Sequence, residues 1–226
     1  MRTLIDRRSF LKTSATLAVS AAAGRYVQRN AYGASRDRVT IYHTSVADSI
    51  NPYNHSSSPI YGQWQHVMEP LVELDYKKQD YVGVLAESWQ FQGNKWTFKL
   101  KKNIKFHNGA PLTSKDVAFS IEKMRDEKGG SLQASNFKDV TEVQTPDDLT
   151  VVFVTKQPLA IFLDRLENRF ILSKVAGDKF GANLYDNPIG TGPYKFVSYQ
   201  RGGNMVFTRN DEYWGGKAAI KEMIIP

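Results

Sequence analysis

Residues Lys95–Met124 read KWTFKLKKNIKFHNGAPLTSKDVAFSIEKM, and the change of rhythm inside them decides the fold. At the front, Trp96, Phe98 and Leu100 alternate with polar neighbours, the two-residue period of a strand that buries one face. Just upstream, ESWQFQ (Glu87–Gln92) carries Trp89 and Phe91 in the same period, and Gly93-Asn94 between the two runs predicts a hairpin. Past Pro111 the period lengthens. Thr113 with Asp116 makes an acidic variant of the capping box, and Val117, Ile121 and Met124 recur at helical spacing before Gly129-Gly130 end the run. His107, between the strand-like run and Asn108-Gly109, is expected to hydrogen-bond locally at a turn.

The same mixture extends in both directions. Arg38–Thr44 (RVTIYHT) reads as a strand, and Ser58-Pro59 opens an amphipathic helix whose stripe Ile60, Tyr61, Trp64, Val67, Met68 and Leu71 ends near Pro70. A second hairpin is predicted from Asp139–Thr145 and Leu149–Thr155 around Pro146-Asp147-Asp148. A short helix follows from Leu159 (LAIFLDRLEN). Strands are then expected at Tyr194–Gln200 and Asn204–Asn210, joined by a Gly202-Gly203 turn, and at Ile220–Pro226. Strands and helices alternate without a regular βα order, so the fold class is α/β with a mixed sheet, not a barrel.

The formal net charge is +7, which raises the question of a nucleic-acid or membrane partner. Residues 1–38 answer it, because eight of the Lys and Arg fall there against only Asp6 and Asp37. The remaining body is near neutral with both signs interspersed, which argues against a basic groove for nucleic acid. The basic segment itself reads DRRSFLK (Asp6–Lys12) and then a mildly apolar run rich in Ala, Ser and Thr, too short to span a membrane. Arg7 and Arg8 followed by Phe10 and Leu11 resemble a twin-arginine export signal, with Asp6 where Ser or Thr is more usual. Cleavage is expected after Ala23 or after Gly33, giving a signal segment of 1–33 on the second choice. Cysteine is absent, which removes disulfides, thiolate metal sites, a cysteine nucleophile and a lipid-anchored cysteine together. An exported protein, free in the periplasm and not lipid-anchored, is the resulting expectation.

Catalytic and cofactor readings find little support. No nucleophile-elbow pattern is present, and His43, His55, His66 and His107 match no short metal-ligand spacing, so no enzyme activity, metal or cofactor is expected. Asn187–Tyr194 (NPIGTGPY) suggests a phosphate loop, but the strand-like YKFVSYQ follows where a helix N-terminus would be needed. Its glycines and prolines read instead as a shaped connection into a strand. Tyr213-Trp214 borders a loop, where packing competes with lining a cleft.

Several segments together resemble a known family. VLAESWQF, KWTFKLKKNIKFHNGAPLTSKDVAFSIEKM, NPIGTGPYKFVSY and TRNDEYWGGKAAIKEMIIP are similar, in order and spacing, to the hallmark segments of the peptide- and nickel-type extracellular solute-binding proteins of ABC importers. INPY and MEPLVELD fit as well. The resemblance implies a two-lobed clamshell of the periplasmic-binding-protein type that captures a solute and delivers it to an ABC permease in the inner membrane. Members take dipeptides, oligopeptides, nickel complexes, oligosaccharides or opines, and a di- or oligopeptide is expected here. Residues 34–50 and 165–226 would form the first-lobe core and 51–164 an inserted subdomain, with the second lobe expected beyond Pro226. The segment 34–226 by itself would then bind peptide weakly or not at all. Candidate ligand contacts are Thr44, Ser45, Asn51, Asn168 and Thr191, each with a turn-forming role as the competing reading. The further expectations are a monomer that meets the twin-arginine translocon during export. The alternative is an exported relative of the same ancestry that no longer imports, serving in sensing or chaperoning, or a truncated, binding-incompetent remnant.

Overall fold

The computed structural model describes residues 37–42, 50–54, 58–200 and 203–226. The export-signal residues Arg7, Arg8, Phe10 and Leu11, the ligand candidates Thr44 and Ser45, and His43 and His55 lie outside the described residues.

Among the described residues, three sheets carry the architecture. The first joins β1 (Arg38–Thr40) to the far end of the chain, in the order β1, β10 (Glu222–Ile225), β9 (Met205–Arg209), β8 (Tyr194–Tyr199). β1 and β10 are parallel, with Arg38 opposite Glu222 and Thr40 opposite Ile224, and the other pairs are antiparallel. The second sheet is the hairpin β2 (Val72–Asp75) and β3 (Asp80–Gly83). The third has the order β4 (Ala86–Gln92), β5 (Lys95–Leu100), β7 (Thr150–Thr155), β6 (Val140–Asp147), all antiparallel. Helices α1 (Ser58–Trp64), α2 (Ser114–Arg125), α3 (Phe162–Leu166) and α4 (Lys174–Phe180) pack among them. The class is the mixed α/β expected.

Both expected hairpins form. Gly93 takes a left-handed φ of 61° in the two-residue turn, and Phe91 stacks on Trp96 across the strands at 4.6 Å between ring centroids. Trp96, Phe98 and Leu100 are buried as their alternation requires, and Phe98 and Phe153 meet edge to face at 5.6 Å. The buried side chains of all three sheets and of every helix merge into one hydrophobic cluster.

At the start of α2, Asp116 does more than close a capping box. Its Oδ2 accepts from the Thr113 N–H and hydroxyl, each at 2.8 Å, while Oδ1 accepts from the Lys174 N–H at 2.7 Å. One buried carboxylate therefore satisfies orphan donors at the N-termini of α2 and α4 together.

Three features depart from the sequence reading. Helix α1 stops at Trp64 and not near Pro70, because the next carbonyls are taken from outside: His66 O accepts from Tyr194 N–H and Val67 O from Gly192 N–H, both at 2.9 Å. Met68 and Leu71 stay buried, but outside the helix. The β2–β3 hairpin falls in a stretch with no expected element; Asp75 Oδ1 makes its turn by accepting from the Lys77 and Lys78 N–H groups at 3.0 and 3.2 Å. Helix α4 also went unread, since Gly177 in its middle is a poor helix former. The glycine is needed there because the Phe119 ring occupies the space a Cβ would fill.

Candidate functional site

The loop Asn187–Tyr194 is the meeting point of segments far apart in sequence. On one side it pairs with the end of α1 through Gly192 and Tyr194, as above, and on the other with His107. His107 N–H donates to Gly190 O at 2.9 Å, its Nε2 lies 2.9 Å from Gly192 O, and Gly190 N–H donates to its Nδ1 at 3.3 Å. A ring that accepts at Nδ1 must carry its proton on Nε2, so the neutral tautomer is fixed. The expected local turn bond of His107 is thus corrected: its partners lie more than eighty residues downstream.

Burial pulls the His107 pKa down to about 4, with the Gly192 carbonyl opposing and Lys195 adding to the decrease. An imidazole with a folded pKa near 4 and an unfolded value of about 6.5 binds fewer protons when folded across that window. Its contribution to stability is therefore complete above pH 6.5 and declines as the pH falls toward 4. Relative to His107→Gln, the wild type should lose about 2 kcal/mol between pH 7 and pH 5 in urea denaturation. A constant difference between the two proteins would refute the buried neutral imidazole.

Beneath the loop sits Glu69, 5 % exposed, on the irregular segment between α1 and β2. The segment is pinned by the Pro70–Phe170 bridge and by Ile171 N–H donating to Glu69 O at 3.0 Å. Glu69 Oε2 accepts from the Thr191 hydroxyl at 2.7 Å and from Trp214 Nε1 at 2.8 Å, and Oε1 accepts from the Tyr213 hydroxyl at 2.6 Å. Burial raises the Glu69 pKa, and the bonds from Tyr213, Trp214 and Thr191, with the charge of Lys101, pull the other way. The Lys101 ammonium lies 4.7 Å from the Trp214 ring centroid and donates to Gly83 O at 3.0 Å. Burial, then the bond and charge of Glu69 and the charge of Glu73, push the Tyr213 phenol up, so it remains a donor.

Beside this cluster opens a cavity of about 450 Å³, walled by Glu69, Glu73, Asn168, Phe170, Tyr213 and Trp214 among others. A second, wider hollow of about 720 Å³ lies between α2 and β6, with Phe119 and Val143 among lysines and glutamates.

The sequence candidates are dispersed. Thr191 is fully buried and donates to Glu69, Asn168 lines the cavity with a left-handed φ of 56°, and Asn51 is buried with Oδ1 accepting from the Tyr53 N–H at 2.9 Å. Thr191 and Asn168 are thus brought to the same cluster, and Asn51 is not among its walls. Glu69 was missed, although an acid between Met68 and Pro70 in an apolar stretch is a residue that needs partners when buried. Among the described residues no group of three or more His, Asp or Glu is placed to hold a metal ion, and no helix is long and apolar enough to cross a membrane.

Comparison with known proteins places this architecture. Over 164 residues the chain is 34% identical to a putative ABC transporter peptide-binding protein of Brucella ovis, covering 69% of this chain and 31% of that one. Over 181 residues it is 32% identical to the probable D,D-dipeptide-binding periplasmic protein DdpA of Escherichia coli K12, covering 76% and 35%. The chain thus spans about a third of the length of these curated relatives. Among solved structures it superposes on NikZ of Campylobacter jejuni, a complex with Ni(L-His), with a TM-score of 0.74 and 27% identity over 84% of this chain and 39% of that one. The model of the bacterial extracellular solute-binding proteins, family 5 (middle region), matches residues 80–226, the span that holds His107, Thr191, Tyr213 and Trp214, and to that family the chain belongs.

Proposed function

We propose that the protein is the substrate-binding component of an ABC importer, working in the periplasm and capturing a peptide for delivery to a membrane permease. The observation that carries the reading is the family match over residues 80–226. The peptide class follows relatives described as peptide-binding and as D,D-dipeptide-binding. In this reading 34–50 and 165–226 belong to the core of one lobe and 51–164 to an inserted subdomain, with Thr44, Ser45, Asn168 and Thr191 on or behind the solute-facing side. Export through the twin-arginine route is supported by Arg7-Arg8 and Phe10-Leu11. The role is capture without turnover, a reading supported by membership of the solute-binding family.

The test is a thermal-shift screen against di- and oligopeptides, nickel–amino acid chelates, sugars and opines, with product analysis alongside. A cognate peptide at a hundred times its Kd should stabilise by about 2.7 kcal/mol, a rise of roughly 5–10 °C in Tm. Hydrolysed peptide would overturn the receptor reading, and stabilisation by a sugar or opine alone would overturn the peptide class.

A further inference from the structure

The cavity beside Glu69 has a chemistry of its own. Its wall holds two carboxylates, Glu69 and Glu73, and no lysine or arginine. The first is committed, with both oxygens accepting from Thr191, Trp214 and Tyr213. The second is not: on strand β2, the exposed Glu73 carboxylate has no hydrogen-bond or ion-pair partner among the described residues, yet it lies near enough to Tyr213 to raise that phenol's pKa. The Tyr213 and Trp214 rings share the cavity wall with both carboxylates, tilted at 57° with centroids 5.4 Å apart and held by Glu69. Lys101, which reaches the Trp214 ring, is anchored on Gly83 O and is the cation whose charge bears on Glu69.

An aromatic ring face beside an unpaired carboxylate suits one chemical group above others. A guanidinium stacks on a ring face and at the same time offers a planar fork to a carboxylate. An anionic group here would face two carboxylates, and a neutral one would gain no attraction from the Glu73 charge. The volume of about 450 Å³ lies within the range of small-molecule pockets. We propose that this cavity is a subsite for a guanidinium-bearing part of the captured solute, with Glu73 as its charge partner and Tyr213-Trp214 as its stacking wall. The inference rests on the solute-binding reading and narrows its substrate class to cationic solutes.

Titration of the 226-residue protein with L-argininamide, followed at the Trp214 indole N–H resonance in ¹⁵N-labelled protein, tests it. Citrullinamide, nearly the same shape but neutral in its side chain, is the comparison probe. The expected result is a saturable shift with argininamide in the millimolar range and at least fivefold weaker binding of citrullinamide. Glu73→Gln, on an exposed strand position, should keep the wild-type melting temperature and lose about five- to tenfold in argininamide affinity. Absence of a saturable shift, equal response to the two amides, or undiminished affinity in Glu73→Gln would each overturn the subsite. If any of these occurs while the solute screen still finds a stabilising peptide, the receptor reading stands and only the guanidinium subsite is lost.

Discussion

Gly190→Ala should destabilise the protein by about 4 kcal/mol and lower its melting temperature by roughly 10 °C. A Cβ at Gly190 would overlap the carbonyl oxygen of Val67, and the nearest atoms behind it are backbone as well. Backbone on both sides leaves no side chain to swing away. To admit the methyl, the loop must part from the segment that follows α1, breaking the bonds from Gly192 to Val67 O and from Tyr194 to His66 O. The His107 clamp on the opposite side opposes that movement. Gly203→Ala is the control, since its Cβ would meet only the Gln200 side chain, at 3.3 Å, and should change stability by less than about 1 kcal/mol. Urea denaturation of the two variants against wild type decides the matter. Equal and small losses would show that the loop is not wedged as described.

The same loop shows what was legible in the sequence and what was not. Local rules sufficed where a segment answers only to its neighbours: Gly93-Asn94 turned its hairpin, Asp147 closes the Asp148-Leu149 turn of the second by accepting from the Leu149 N–H, with Pro146 inside β6, and Asp116 capped α2. They failed where distant backbone intervened. The apolar stripe from Ile60 to Leu71 has helical spacing throughout, but the loop at 190–194 claims the carbonyls of His66 and Val67 and ends the helix early. Helix α4 escaped notice for a related reason, since Gly177 answers to Phe119, which is on another helix. NPIGTGPY could be cleared of a phosphate role because the strand after it is local information. Its actual use, as the plate against which His107 and Glu69 close, depends on partners 83 to 122 residues away. The Glu69 cluster was visible only as unexplained residues: an acid in an apolar run, a threonine among glycines, and a Tyr-Trp pair at a loop edge.

Glu69→Ala should cost about 3–4 kcal/mol, whereas Glu69→Gln should fall within about 1.5 kcal/mol of wild type. The alanine leaves three donors facing a void, and the indole N–H of Trp214 cannot turn into an acceptor. Glutamine can meet all three. Its oxygen, set where Oε2 lies, accepts from Trp214 and Thr191. Its amide then points at Tyr213, whose hydroxyl accepts from it and redirects its own proton. The pH dependence separates charge from shape. Burial raises the folded pKa of Glu69, so the folded protein holds the proton at higher pH than the unfolded chain does. The wild type therefore gains stability from this group as the pH falls through the raised folded value toward the ordinary carboxylate value of about 4.3, and Glu69→Gln does not. The stability of the glutamine variant relative to wild type should accordingly decline on acidification, the reverse of the trend for His107→Gln. If the alanine and glutamine variants are equally unstable at every pH, the carboxylate is not the acceptor that joins these three segments.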